Sequence, residues 1–226
     1  MLKFLIHSLL LYFRPKYAIT GNESQVVTLS LAPGDKARSE PGTMMYMTGG
    51  VDSGVSCRGC FGRCCTGEDC CEIEYMNNSE AYGYTAMTPN LATANKVVPL
   101  DLASPHVNGK ILCQKGSYMA SYGNVEVEVN FDFNCCRCCF GGMGFSQQKI
   151  VGNGVVFLCG SGTIVQKILG PGEKILIDTN CILAYSATCD LDIKMASRGF
   201  FGVVGGGEGL FNSSITGPGL VLVSET

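Results

Sequence analysis

One turn-and-strand pattern occurs three times along the chain, and this repetition constrains the fold more than any other feature. Each occurrence opens with a glycine-containing turn and continues, at similar spacing, into a strand in which apolar and polar residues alternate. The turns contain Gly34, Gly109 and Gly172, and the alternating strands begin at Val51, Val125 and Cys189. One such unit cannot bury its apolar face alone, so the pattern indicates tandem copies packed into a single body.

We therefore predict an all-β fold of three tandem β-sheet repeats in a pseudo-threefold arrangement. The repeats span about residues 25–95, 97–162 and 163–224, and they lie within a single domain at 17–224. No helical period of useful length follows residue 16.

Local patterns predict individual strands inside the repeats. Val27, Leu29 and Leu31 share one face of a strand, and 189–195 alternates in the same way. The stretch 43–47 carries three methionines, which we expect to fill the core. The polar stretch 76–95 is predicted to be the longest irregular connection. Separate strands are predicted at 155–158 and 163–169, the first closing the second repeat and the second leading into the third.

Composition excludes some classes of function. The chain has 226 residues, 30 of them glycine, and 15% are charged, which suits a globule of short strands and tight turns. Acidic residues outnumber basic ones by 19 to 16, and the basic residues are scattered, so nucleic-acid binding is disfavoured. No apolar run reaches the roughly 18 residues that a membrane-spanning helix needs.

Residues 1–16 form a separate apolar segment that contains no acidic residue. A mitochondrial presequence, a secretory signal and a short helix lying on the domain or on a membrane surface all remain open as interpretations. The absence of a small-residue cleavage site disfavours the secretory signal. We expect an intracellular protein, with the mitochondrion favoured over the cytoplasm.

Several motifs resemble those of a known family. They are L-x-P-G-D-K followed by E-P-G-x-M-x-Y-M-x-G-G-V at 31–51, G-S-Y-M-A-S at 116–121, and G-P-G-E-K-I-L-I-D-T-N-C-I-L-A-Y at 170–185, followed by G-G-G-E-G-L and G-P-G-L-V-L. Together they resemble the altered-inheritance-of-mitochondria, or TRAP-like (trp RNA-binding attenuation protein-like), domain family, whose bacterial members were described as domains of unknown function. The resemblance covers roughly residues 17 to 224.

The resemblance implies a TRAP-like all-β body of double-stranded β-helix or sandwich type, with internal pseudo-threefold repetition and frequent assembly into oligomers. It also implies a link to mitochondrial organisation. The sequence departs from the family pattern in several places, since Cys181 replaces an expected histidine and two of the three G-E-G motifs are altered. The family brings no established catalytic residues to carry over.

Fourteen cysteines are the most conspicuous chemical feature. Pairs at C-x2-C spacing can bind Zn²⁺ tetrahedrally, so zinc is the cofactor to consider, although none is favoured. The candidate ligands are Cys57, Cys60, Cys64, Cys65, Cys135, Cys136, Cys138 and Cys139. Adjacent Cys-Cys pairs are awkward chelates, and free cysteine also serves as a small hydrophobe, so we favour a structural role. Disulfide formation and reversible acylation remain open as alternatives.

Other residue patterns give no credible catalytic site. The acid pairs Glu126/Glu128 and Asp190/Asp192 are expected on the solvated face of their strands. Asp178 is expected to cap a turn by accepting a hydrogen bond from the backbone two residues on. The chain has two histidines and no G-x-S-x-G elbow, and its glycine runs lack the lysine of a phosphate loop.

The sequence thus predicts a non-enzymatic β-repeat scaffold that acts by oligomerising and by contacting protein partners or, peripherally, a membrane. Its cysteine-bearing and phenylalanine-bearing turns are candidate contact points, although for Phe140, Phe145, Phe200 and Phe201 we favour packing in the core between repeats. The alternative function is a module that binds zinc or a small ligand through its cysteine clusters.

Overall fold

The structure is a computed structural model that describes residues 16–57, 71–90, 94–129, 147–195 and 211–225. Over these residues the chain forms eighteen β-strands and one short 3₁₀ helix at Thr179–Cys181, so the predicted all-β class is confirmed. The predicted helix at 1–16 lies outside the described residues, apart from its last residue. The strands are β1 Tyr17–Thr20, β2 Val26–Leu31, β3 Lys36–Ser39, β4 Met44–Met47, β5 Val51–Ser56, β6 Glu72–Asn77, β7 Gly83–Met87, β8 Lys96–Asp101, β9 Lys110–Gln114, β10 Tyr118–Tyr122, β11 Val125–Val129, β12 Gln147–Gly152, β13 Val155–Leu169, β14 Lys174–Asp178, β15 Ile182–Ser186, β16 Asp190–Met195, β17 Phe211–Thr216 and β18 Gly219–Glu225.

The strands form three sheets with antiparallel pairing. The first sheet has the order β1-β2-β7-β4, and the smallest has the order β14-β17-β16. The remaining strands form one large sheet in the order β11-β12-β9-β15-β18-β13-β10-β3-β6-β5, and β8 also pairs with β13.

The same set of pairings occurs in three places. The strand after each glycine turn (β3, β9 or β14) pairs with a later strand (β6, β12 or β17), which also pairs with the alternating strand β5, β11 or β16. In addition, strands β2 and β4 both pair with β7. Strands β8 and β10 both pair with the start of β13. Strand β15 and the end of β13 both pair with β18.

The first and third glycine turns share one geometry. Gly34 has a φ of 81° and Gly172 a φ of 75°, a left-handed conformation that side chains disfavour. The amide of Asp35 donates to the carbonyl oxygen of Ala32 at 2.9 Å, and that of Glu173 donates to the carbonyl of residue 170 at 3.0 Å. Each acid also accepts a hydrogen bond from the backbone amide at the start of its own turn. The two turns are therefore closed by the same pair of hydrogen bonds.

Alternating side chains place the core between the sheets. Val27, Leu29 and Leu31 on β2 are fully buried, as their shared face predicts. They belong to a cluster that includes Phe157 on β13, so the first sheet packs against the large one. The ring of Phe157 meets that of Tyr17 edge to face, with centroids 5.1 Å apart and planes at 81°.

Three local predictions are wrong. The two strands predicted at 155–158 and 163–169 are one strand, β13, because pairing passes from β8 and β10 to β18 through an irregularity between Ser161 and Val165 instead of a turn. The stretch 76–95, predicted to be irregular, contains β7. The methionines of 43–47 do not fill the core, because β4 lies at the edge of the first sheet.

Candidate interaction surface

Of the eight cysteines considered as zinc ligands, only Cys57 lies within the described residues. Cys57 is described, is exposed, and has its Sγ 2.9 Å from the Sγ of Cys71. The other seven candidate ligands, like the four phenylalanine tips, lie outside the described residues. Within the described ranges no three His, Cys, Asp or Glu side chains come together as a metal site would require. Zinc binding therefore stays an alternative to the favoured structural role of the cysteines.

The buried cysteines behave as small hydrophobic side chains. Cys113, Cys159 and Cys189 each belong to one of the core clusters. Burial raises the pKa of the Cys159 thiol to about 12 and also raises the pKa of Cys189. A thiol whose pKa is raised in this way is a poor nucleophile, so these positions contribute packing.

The acidic residues lie where the alternation predicts them. Glu126 and Glu128 are exposed on β11, and Asp190 and Asp192 are exposed on β16. The carboxylate of Asp178 accepts a hydrogen bond of 2.9 Å from the backbone amide of residue 180, which confirms its predicted turn-capping role.

The most exposed apolar strand is β4. Its side chains Met44, Met45, Tyr46 and Met47 are 45%, 60%, 51% and 37% exposed. Among the described strands, it pairs with β7 on one side and has no neighbour on the other. A strand at the edge of a sheet presents unpaired backbone groups and is a template for pairing with another strand. We call these four residues the β4 patch.

Polar contacts fix both ends of β4. The Thr43 hydroxyl donates to the carbonyl oxygen of Glu40 at 2.9 Å and contacts the Ser39 hydroxyl at 2.8 Å. After the strand, the backbone amide of Thr48 donates to the carbonyl of Tyr84, and the amide of Tyr84 donates back to the Thr48 hydroxyl, both at 2.9 Å. These hydrogen bonds therefore anchor both ends of the strand that carries the β4 patch.

The two strands in corresponding positions show what covers such an edge. All residues of β15 are buried, as are four of the five residues of β10. On the side away from its own partner, β10 pairs with β3, and β15 pairs with β9. In both cases the covering strand is the one that follows a glycine turn. For β4 the described pairings contain no such neighbour.

The third strand that follows a glycine turn, β14, is also at a sheet edge. It pairs with β17, and the structure describes no other strand beside it. Leu176, at its centre, is 77% exposed, the highest value among the large apolar side chains described. The β4 patch carries no charge, and the charged residues of β14, Lys174 and Asp178, lie at its two ends. Charge therefore does not oppose contact between the centres of the two edges.

Sequence reasoning missed this surface because the β4 patch has the composition of a buried strand. The stretch of β10 reads Y-M-A-S-Y and that of β15 reads I-L-A-Y-S, while β4 reads M-M-Y-M. Only the strand order distinguishes the exposed member from the buried ones.

Across the described ranges, no helix has both the length and the apolar character needed to span a membrane.

Comparison with known proteins gives the family. No curated protein matches the chain. Among solved structures, the crystal structure of a protein from Streptococcus pyogenes, a structural-genomics target, is similar to this chain, with a TM-score of 0.71 and 23% identity over 94% of each chain. That similarity shows the fold. The family model described as mitochondrial biogenesis AIM24 matches residues 17–225, which confirms the resemblance seen in the motifs. The chain belongs to the AIM24 mitochondrial-biogenesis family.

Proposed function

We propose that the protein is a non-catalytic β scaffold that self-assembles, with the β4 edge of one copy pairing with the β14 edge of a second copy. The observation that carries the proposal is the exposure of the β4 patch, whose counterparts on β10 and β15 are covered by another strand. Protein partners and membranes would then meet an assembled surface instead of a single chain.

We further propose that β4 and β14 are open edges because the chain is built from three copies of one module. What supports it is the recurrence of one pairing scheme around the three glycine turns, together with the shared geometry at Gly34 and Gly172. If the units are copies of one module, three junctions of the same kind are expected. Two of them, β10 with β3 and β15 with β9, are formed inside the chain. The third would join β4 to β14, and a second copy supplies it.

The energetics favour such a junction. Pairing would satisfy the backbone groups of both edge strands and cover the apolar side chains beside them. Burying a fully exposed methionine or leucine contributes about 1.5–3 kcal/mol, so completing the burial of the half-exposed β4 patch contributes roughly 1 kcal/mol for each side chain. Because the two edges differ, the contact is heterologous and produces rings or open chains of copies.

Light scattering coupled to size exclusion tests the assembly. The wild-type chain is expected to elute with a mass that is a multiple of its 24.0 kDa. Met45→Lys places a charge in the middle of the β4 patch and should yield a monomer. Val55→Lys is the matched control, because Val55 is also an exposed apolar residue on an edge strand, 69% exposed on β5. A wild-type chain that remains monomeric at high concentration would refute the proposal.

Location inside the cell is a separate part of the proposal. Family membership supports a role connected with mitochondrial biogenesis, and the acid-free apolar segment at 1–16 supports delivery to the mitochondrion. Imaging a C-terminally tagged chain with and without residues 1–16 tests this. A full-length chain that is diffuse in the cytoplasm would contradict it.

A further inference from the structure

Cys57 and Cys71 lie directly opposite each other at the end of a hairpin. Strands β5 and β6 pair antiparallel, and their last described ladder pair joins Ser56 to Glu72. The same register, continued one residue forward from Ser56 and one residue back from Glu72, places Cys57 across from Cys71. Residues opposite each other in an antiparallel ladder have Cα atoms about 4.5–5.5 Å apart, which lies inside the range that a disulfide spans.

The side chains already point at each other. The two Sγ atoms are 2.9 Å apart, closer than ordinary van der Waals contact between sulfurs. Cys57 is exposed and Cys71 is half-buried, so one thiol is accessible to a reagent in solution and the other stands beside it. An accessible cysteine next to a resolving cysteine is the arrangement found in thiol redox sites.

We propose that Cys57 and Cys71 are a redox-active pair that forms a reversible disulfide across the β5–β6 hairpin. In the first step, the Cys57 thiolate attacks one sulfur of a small-molecule disulfide, which forms a mixed disulfide and releases one small thiol. The Cys71 thiolate then attacks the Cys57 sulfur and releases the second small thiol. The two protein thiols lose two electrons and two protons, and these appear on the two small-molecule thiols.

The ladder register gives the pair its specificity. The chain offers other thiols close in sequence, at positions 60, 64, 65 and 70, so proximity along the chain alone would predict mixed pairing. Pairing across a ladder fixes the distance and direction of only one partner for Cys57. Cys71, and not its neighbour Cys70, is therefore the partner of Cys57. The pairing requires neither self-assembly nor zinc.

Peptide mapping of the full-length protein tests the assignment. Reduced protein is equilibrated with glutathione disulfide, quenched in acid with an alkylating reagent, and digested with trypsin and with a protease that cleaves after glutamate. Cys57 is the only cysteine in the resulting peptide 39–58, while 69–72 contains Cys70 and Cys71. The expected product joins these two peptides, carries one alkyl group on Cys70, and is otherwise two hydrogens lighter than their sum. Added dithiol should separate them.

Matched variants identify the partner. Cys71→Ser should abolish the linked product, whereas Cys70→Ser, one residue away, should leave its yield unchanged. Both are near-isosteric changes, and far-UV circular dichroism reports whether each variant folds. Recovery of Cys57 as the alkylated residue, as a stable mixed disulfide with glutathione, or linked to a cysteine other than Cys71 would overturn the proposal.

Discussion

Removing the Phe157 ring is expected to be among the most destabilising single changes in the described part of the chain. The side chain is fully buried on β13 and packs in the cluster that joins the first sheet to the large one. A buried Phe→Ala change costs about 3–5 kcal/mol, which includes lost transfer free energy and the cavity that remains. The edge-to-face contact with Tyr17 contributes about 0.5–1.5 kcal/mol of this.

Urea unfolding followed by far-UV circular dichroism measures the effect. Tyrosine fluorescence supplies a second probe, because the chain contains no tryptophan. A double-mutant cycle with Tyr17→Ala isolates the ring contact, since the two side chains are direct neighbours. Val165→Ala is the control, because Val165 lies on the same strand but is 47% exposed, and its change should stay within about 0.5 kcal/mol.

A loss below about 1 kcal/mol for Phe157→Ala would refute the reasoning, because the two sheets would then not share a continuous core. If the alanine variant does not fold, Phe157→Leu gives the same test at smaller amplitude. It keeps most of the volume and should cost less than about 1.5 kcal/mol. A leucine variant that is as destabilised as the alanine variant would also contradict this explanation.

Two further predictions concern polar groups. Asn77 is fully buried and donates to the carbonyl oxygens of Leu31 and Ala81, both at 2.8 Å, so Asn77→Ala should cost about 2–4 kcal/mol in urea unfolding, whereas exposed Asn78→Ala should cost little. The hydrogen bond from Lys36 lowers the pKa of the Glu74 carboxyl below its ordinary value of 4.5. This stabilisation is present above the unfolded pKa and is lost as the pH falls through the folded pKa. Glu74→Gln should therefore lower the urea midpoint at neutral pH, with a difference that shrinks at pH values well below 4.5; a difference that persists in acid would contradict this.

Short-range patterns predicted where several strands begin and how one turn is capped. The alternating strands β5 and β11 begin at the predicted residues, and the Asp178 carboxylate caps its turn as expected. These features depend on side-chain alternation and on local hydrogen bonds, both of which are written in a few consecutive residues.

Features that depend on neighbouring strands could not be predicted in this way. The β4 patch has the composition of β10 and β15, and its exposure follows only from the absence of a covering strand in the described pairings. The pairing of Cys57 with Cys71 depends on the register of β5 against β6, which is set by many contacts along the hairpin. The continuity of β13 likewise follows from its pairing first with β8 and β10 and then with β18.

Mixing two variants tests the assembly mechanism most directly. Met45→Lys blocks the β4 edge and leaves β14 intact, and Leu176→Lys blocks the β14 edge and leaves β4 intact. Each variant alone should be a 24.0 kDa monomer by light scattering, because every β4–β14 junction would contain one blocked edge. An equimolar mixture should form a heterodimer through the one junction whose edges are both intact. If Leu176→Lys assembles like the wild type, or if the mixture remains monomeric, the proposed junction between β4 and β14 is wrong.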